Sequence, residues 1–389
     1  AGYSVDVLSN FGDRDPVPLF KEFLKTDDNA AALTKALQNR TIPAEIAKMG
    51  LRAIASSGRE RAELSTALNR AAGLGEDPAE FTPEQMARMV AAVQEHGDAT
   101  RGQEQFRKLD CMQCHAIAGS GGAVGPDLTS IGGSAQMDYL IEANYFPGKA
   151  IKDGYHSLLI ETKNGEFHSG IKISESDSEL LLREATGEEV RIPLYIIATR
   201  DDGGSLMPTG LADSLLDNEL LDLTRFLSEL GRTPEFSVGT NRYVRTWRVL
   251  PNTDAAKDYL YENQPEAAVR PHESLSWVQA YSNVDGSIPL SAIPKLRHHY
   301  WRNTYSFLKF TLSATAKGQA AIAITPQEGM RLWVGEKEVQ LADANVLDVN
   351  AGDTDCIVII DRAKTDKGAR VRLVDQRKTS VSTTFKGGR

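Results

Sequence analysis

The sequence is poor in cysteine, carries no excess of positive charge and has no long apolar run. It has 3 Cys in 389 residues. Two stand close together and the third, Cys356, is far away and alone, so no second cysteine pair exists to complete a zinc site. Asp and Glu outnumber Lys and Arg, and the formal net charge of −9 argues against a nucleic-acid binder. No apolar run approaches the roughly 18 residues that a membrane-spanning helix needs. The chain starts at Ala1, without Met or a signal-like apolar region, and the expectation is a mature form or an excised piece. What is there is ordinary for a soluble globular protein, with 41% hydrophobic and 25% charged residues. The length suggests roughly two to four domains.

The run Cys111-Met112-Gln113-Cys114-His115 carries the most chemistry. Two thiols at this spacing can each add across a vinyl group of one haem, and the adjoining imidazole then lies beneath the iron. A Cys-x-x-Cys also suits a redox dithiol or half of a zinc site. A redox dithiol needs no His after its second Cys, and zinc needs the missing second pair. His115 therefore points to one covalently attached haem c, with Cys111 and Cys114 as attachment points and His115 as an iron ligand. Cys356 lies in Cys356-Ile357-Val358-Ile359-Ile360, a buried-strand pattern, and reads as an inert core thiol.

Asp98 to Phe106 reads as a short helix before this run. Val124-Gly125-Pro126-Asp127-Leu128 follows it, then Ser205-Leu206-Met207-Pro208 and an amphipathic run from Ser214 to Leu230. In this order the motifs resemble a class I cytochrome c. The resemblance implies that Gly102 and Phe106 pack the first helix against the last, with Phe226 as partner. It implies that Pro126 offers its carbonyl to the ring N–H of His115, fixing the tautomer. It implies Met207 as the distal ligand, a soft thioether that favours ferrous iron. A plain reading stands beside each. Gly102 and Phe106 suit ordinary core packing, Pro126 suits a turn, and Met207 is one of 7 Met, most of which fill gaps. Its frame, Gly203-Gly204 and Pro208-Thr209-Gly210, suits a ligand loop better than a core helix. His156 and His168 compete for the distal position.

Residues 1–97 read as a helical segment. Pro18 to Leu24, Asn29 to Leu37, Ala44 to Ala55, Glu60 to Ala72 and Pro83 to Val93 place apolar residues three and four apart, with Gly50, Gly58, Gly73 and Gly75 between them. Thr82-Pro83-Glu84-Gln85 has the pattern of a capping box. HEAT-like helix pairs fit, and so does a plain helical spacer. The gap between His115 and Met207 is long for a minimal cytochrome. His156 to Glu161, Phe167 to Ile173, Glu179 to Arg183, Glu189 to Ile192 and Tyr195 to Ala198 read as strands, with turns at Asn164-Gly165 and Thr186-Gly187. They suggest a small Sm- or SH3-like β-barrel inserted at about residues 155–200. Glu161, Glu166, Glu175, Asp177, Glu179 and Glu184 disfavour RNA there, so a haem cover or docking surface is expected.

The CxxCH run, Val124 to Thr129, Ala150-Ile151-Lys152-Asp153-Gly154-Tyr155, the Sm-like stretch and Ser205 to Leu211, in that order, resemble the haem-binding domain of planctomycete and verrucomicrobial multidomain proteins. The match covers residues 98–231. In that family the cytochrome commonly follows a sugar-dehydrogenase-like propeller. No propeller repeat is visible here, so the resemblance supports electron transfer more firmly than any substrate.

Residues 236–375 read as a C-terminal β-sandwich, and 376–389 as a tail. Strands are expected at Ser306 to Leu312, Ala320 to Ile324, Met330 to Val334, Val346 to Val349, Cys356 to Ile360 and Ala369 to Val374. Gly329 to Val339 resembles the central hairpin of jelly-roll domains of the PA14 or galactose-binding type. Those usually carry acidic residues before the hairpin, and Pro326-Gln327-Glu328 stands there instead, which counts against a metal site and leaves calcium undecided. Trp247, Trp277, Trp301 and Trp333 suit either a glycan surface or, more commonly, a core. His298 and His299 are adjacent, and on a strand they point to opposite faces, against a joint chelate. Gly231 to Glu235 is turn-rich and marks an expected boundary between an autonomous haem module and an accessory module.

The expectation is a multidomain α+β protein: an exported bacterial c-type cytochrome with one haem, taking electrons from a periplasmic sugar dehydrogenase and passing them to a cytochrome or oxidase. It reads more as a carrier than as a catalyst, alone or as the electron-transfer part of a larger dehydrogenase, with no catalytic residues named. Periplasmic or other export follows from haem attachment. The rivals are a haem-based gas or redox sensor, and a carbohydrate-binding protein with a redox haem module. A diheme peroxidase would need a second CxxCH, which the sequence lacks.

Overall fold

The structure, a computed structural model, describes residues 16–56, 61–73, 80–208, 211–212, 215–299, 301, 303–374 and 381–387. The chain forms two compact units. The first comprises Ala1–Gln105, Ala135–Leu182 and Arg191–Ser228, and the second Phe106–Ser134, Arg183–Val190 and Glu229–Arg389. Each holds pieces of more than one segment read from the sequence.

The first unit opens with α1 (Val17–Leu24), α2 (Asp27–Leu37), α3 (Ala44–Ser56) and α4 (Ala62–Ala71). Their apolar stripes close on one core containing Phe20, Leu33, Leu37, Ala47, Leu64 and Leu68. Gly58, Glu60 and Gly75 lie outside the described residues. In α5 (Pro83–His96) the capping box forms: Thr82 Oγ1 accepts from the Gln85 N–H at 3.2 Å and Gln85 Oε1 from the Thr82 N–H at 2.8 Å. Asp98 starts α6 (Ala99–Lys108) by accepting the Arg101 N–H at 2.8 Å. After the short α7 (Ile131–Ser134), α8 (Met137–Tyr145) brings Tyr145 edge-on to Phe81, with ring centroids 4.9 Å apart.

The amphipathic run expected from Ser214 forms α9 (Asp217–Glu229), and Ser214 lies outside the described residues. Gly102 lies against it. A Cβ at Gly102 would fall 1.9 Å from the Asp222 carbonyl oxygen and 2.7 Å from Phe226 Cβ, so the helices meet backbone to backbone and only glycine fits. Asp222 is buried beside this crossing. It accepts from the Asp98 N–H at 2.7 Å and from Arg101 Nε and Nη2 at 2.7 and 2.8 Å. The fork satisfies a carboxylate that would otherwise be costly to bury.

The inserted strands are β3 (His156–Thr162), β4 (Phe167–Glu175), β5 (Glu179–Glu184), β6 (Glu189–Pro193) and β7 (Ile197–Ser205), in one sheet of order β6-β5-β4-β3-β7. The last strand differs from the expectation. Leu194–Ile196 is a 3-10 turn, and β7 begins at Ile197 and runs on to Ser205. The Leu194 N–H goes to the Ser178 carbonyl at 2.9 Å, which takes it out of the ladder. Gly203-Gly204 reads as part of a ligand loop, yet β3 pairs along β7 from Thr162 opposite Ile197 to His156 opposite Ser205, past both glycines.

In the second unit, β1 (Ala116–Ile117) and β2 (Ser120–Gly121) make a small hairpin. The C-terminal part carries β8 (Thr246–Val249), α10 (Asp254–Asn263), β9 (Val278–Tyr281) and β10 (Ser287–Ile288). Then follow β11 (Tyr305–Ala314), β12 (Gly318–Thr325), β13 (Met330–Val334), β14 (Lys337–Val339), β15 (Asn345–Val349), β16 (Gly352–Asp361), β17 (Ala369–Leu373) and β18 (Thr383–Phe385). One sheet runs β14-β13-β16-β11-β8-β9 with β18 beside β11, and the other runs β10-β17-β12-β15. Both contribute to one core that includes Trp247, Phe310, Ile322, Val358 and Val371. The long strands stand near where the sequence puts them. The short β8, β9, β10, β14 and β18 have too few residues to show an alternation.

Candidate functional site

Cys111–Gln113 is a single 3-10 turn following Asp110, whose φ of 54° reverses the chain out of α6. The His115 and Cys114 N–H groups both return to the Cys111 carbonyl, at 2.9 and 3.2 Å. This tight turn places both thiols and the imidazole on one short segment. Neither cysteine is in a disulfide, and both are half-buried. Burial, with the Asp110 carboxylate adding to it, pushes the Cys111 thiol up to about 12, and burial also raises Cys114.

His115 Nδ1 lies 2.9 Å from the Pro126 carbonyl oxygen. A carbonyl can only accept, so Nδ1 carries the proton and Nε2 keeps its lone pair. Burial holds the imidazole below its ordinary value, with the bond to Pro126 opposing. A neutral ring with a free Nε2 is the ligand form. Gly125 makes room for it, because a Cβ there would lie 2.6 to 3.0 Å from the ring atoms. The loop is tied to the turn by the Gly122 N–H to the Met112 carbonyl at 2.8 Å and the Gly125 N–H to the Cys114 carbonyl at 2.7 Å. Thr129 Oγ1 accepts from the Ala118 N–H at 2.8 Å. Thiols, imidazole and the Pro126 acceptor therefore fit a covalently attached haem.

Met207 is half-buried in the bend after β7, in the first unit, with its N–H on Ser205 Oγ at 3.1 Å. Thr209 and Gly210 of its frame lie outside the described residues. His156 lies 4.0 Å from Asp202, its side chain 51% exposed, and His168 stands in β4. Cys356 is buried in β16, and burial pushes its thiol up to about 12. Trp247 and Trp333 are core residues, while Trp277 lines a cleft with Arg270, His272, Lys309 and Asp355. His298 is buried and stacks on Tyr261, and Tyr300 lies outside the described residues. Among the described residues, no group of three or more His, Cys, Asp or Glu could hold a metal ion. No helix among them is long and apolar enough to cross a membrane.

Sequence reasoning missed the polar contacts that brace the Cys111–His115 segment within the second unit. Arg107 donates to Asn283 Oδ1, Ser120 Oγ lies 2.7 Å from Thr246 Oγ1, and Arg183 Nη1 donates to the Ala123 carbonyl at 3.0 Å. Arg183 is itself paired with Glu189 at 2.7 Å. No local signal marks such partners.

The cytochrome c family matches residues 99–163, from the start of α6 to just past β3. No curated protein matches the chain. Among solved structures, an anti-sigma factor domain-containing protein is similar at 8% sequence identity and a TM-score of 0.20, with 60% of this chain and 76% of that chain covered. At that score the likeness carries no argument. The family match supports a cytochrome c-like haem domain in a mixed helix and sheet protein, with haem c and electron transfer as its chemistry.

Proposed function

We propose that the chain is an exported c-type cytochrome with one haem, which accepts electrons from a periplasmic, sugar-oxidising dehydrogenase and passes them to another cytochrome or an oxidase. The carrying observation is the Cys111–His115 turn with His115 Nδ1 tied to the Pro126 carbonyl at 2.9 Å. Cys111 and Cys114 would hold the porphyrin by thioether bonds and His115 Nε2 would bind the iron; Met207 is the second ligand that the class I cytochrome resemblance implies. When bound, the haem supplies one-electron chemistry between ferric and ferrous iron. The chain supplies the rest. Pro126 keeps the proton on Nδ1 and so fixes the ring's orientation and basicity. The Gly125 backbone packs closely against the ring and limits its tilt. Met207 as a thioether donor would favour the ferrous state. The planctomycete-type resemblance supports a dehydrogenase as donor.

The test is mass spectrometry of the full chain made in a host that matures c-type cytochromes, before and after acid–acetone extraction. One haem mass that survives extraction is expected. A bare chain mass overturns the proposal.

A further inference from the structure

The attachment turn is bracketed by two contacts to the C-terminal β region, both inside the second unit. Before the turn, Arg107 donates to Asn283 Oδ1 in the loop after β9. After it, Ser120 of the β1–β2 hairpin lies 2.7 Å from Thr246 Oγ1 at the start of β8. Thr246 Oγ1 donates its one proton to the Gly387 carbonyl, so Ser120 is the donor in the shared bond. Ser120 is buried, and losing its acceptor would leave a buried hydroxyl unpaired. The acceptor side is stiff. Trp247, next to Thr246, is fully buried and its Nε1 donates to Ser282 Oγ at 2.8 Å. The carbonyls of Asn283 and Val284 accept from the buried Arg245, the first at 3.0 Å. The hairpin that Ser120 anchors leads into Gly122, whose N–H returns to the Met112 carbonyl inside the turn.

We propose that Thr246 and Asn283 are positioning residues of the haem site, holding the attachment segment from both sides so that His115 keeps its bond to Pro126. The C-terminal β region is then a structural part of the redox centre, and its edge at β8 and β9 helps set the potential. This rests on the haem-binding reading of Cys111, Cys114 and His115.

The test uses the full-length holoprotein and three variants: Thr246→Ala with Asn283→Ala, the conservative Thr246→Ser, and Gln319→Ala. Gln319 bonds Asp348 at 3.1 Å in the other sheet, away from the bracketing contacts. Amide exchange and the midpoint potential are read on each. In the double variant, amides of residues 116–125 should exchange on the order of tenfold faster. The reduction equilibrium should shift by about threefold, a tenfold shift being 59 mV for one electron. Thr246→Ser should restore the exchange of the hairpin, and Gln319→Ala should move neither readout. If the double variant carries its haem with exchange and potential both unchanged, the positioning role is overturned. The same follows if Gln319→Ala shifts the potential equally, since general loosening of the sheet would then be the cause. Absence of covalent haem in the parent would instead overturn the underlying reading.

Discussion

His115 shows how one residue's surroundings select its chemistry. Its Nδ1 proton is fixed by Pro126 at 2.9 Å, which leaves Nε2 as the ring nitrogen with a lone pair to give. Gly125 lies so near the ring that an added Cβ would sit 2.6 Å from Cε1. Gly125→Ala should therefore push the ring or the loop aside. We expect a stability loss of about 1–3 kcal/mol, as for other overpacked sites, with a changed Soret band in the holoprotein. Urea unfolding followed by haem absorbance checks both, and an unaltered spectrum with unaltered stability would show that the loop yields freely. If Met207 is the second ligand, as proposed, Met207→Ala should abolish the thioether-to-ferric charge-transfer band in the near infrared. The variant should bind carbon monoxide readily when ferrous, while the parent should not. Rapid binding by the parent would favour the sensor reading, and a spectrum that survives the substitution would move the ligand to a histidine such as His156 or His168.

Among elements, the crossing of α6 and α9 turns on Gly102. Its added Cβ would meet the Asp222 carbonyl at 1.9 Å, closer than any side-chain adjustment can relieve, because the obstacle is backbone. Gly102→Ala should cost about 1–3 kcal/mol and lower the midpoint of thermal unfolding measured by circular dichroism. An unchanged midpoint would mean that the helices can separate without penalty. This close approach is legible in the sequence, because a glycine at helical spacing from Phe106 stands where a class I cytochrome packs its helices. The Thr82–Gln85 capping box and the attachment turn are legible for a simpler reason: they are local, and spacing along the chain decides their geometry. The brace around the turn is not legible. Ser120 and Thr246 stand 126 positions apart, and Arg107 and Asn283 stand 176 apart. Nothing in Ser120-Gly121-Gly122 tells which distant hydroxyl will accept its proton. The start of β7 departs from its sequence pattern because a 3-10 turn follows Pro193. Its later half hides behind Asp201-Asp202-Gly203-Gly204, residues that usually make loops.

For the whole molecule the governing quantity is charge. The chain carries a formal −9, and some of its acidic residues are already paired. Arg200 holds Glu175 down to about 2, with Lys172 assisting, and Arg191 pairs Glu179 at 2.7 Å. Those pairs are already counted in the −9, and that net negative field should draw cationic redox partners and repel anionic ones during encounter. That field is screened as the Debye length falls from about 30 Å at 0.01 M salt to about 10 Å at 0.1 M. Stopped-flow oxidation of the reduced holoprotein separates the two cases. With a cationic cobalt or ruthenium complex as oxidant, the second-order rate should fall as salt rises. With ferricyanide, an anion, it should rise over the same range. Equal, salt-independent rates for both reagents would mean that groups local to the redox site, rather than the net charge, govern approach. A cationic rate that rises with salt would place a local basic patch at the redox site and point to an acidic natural partner.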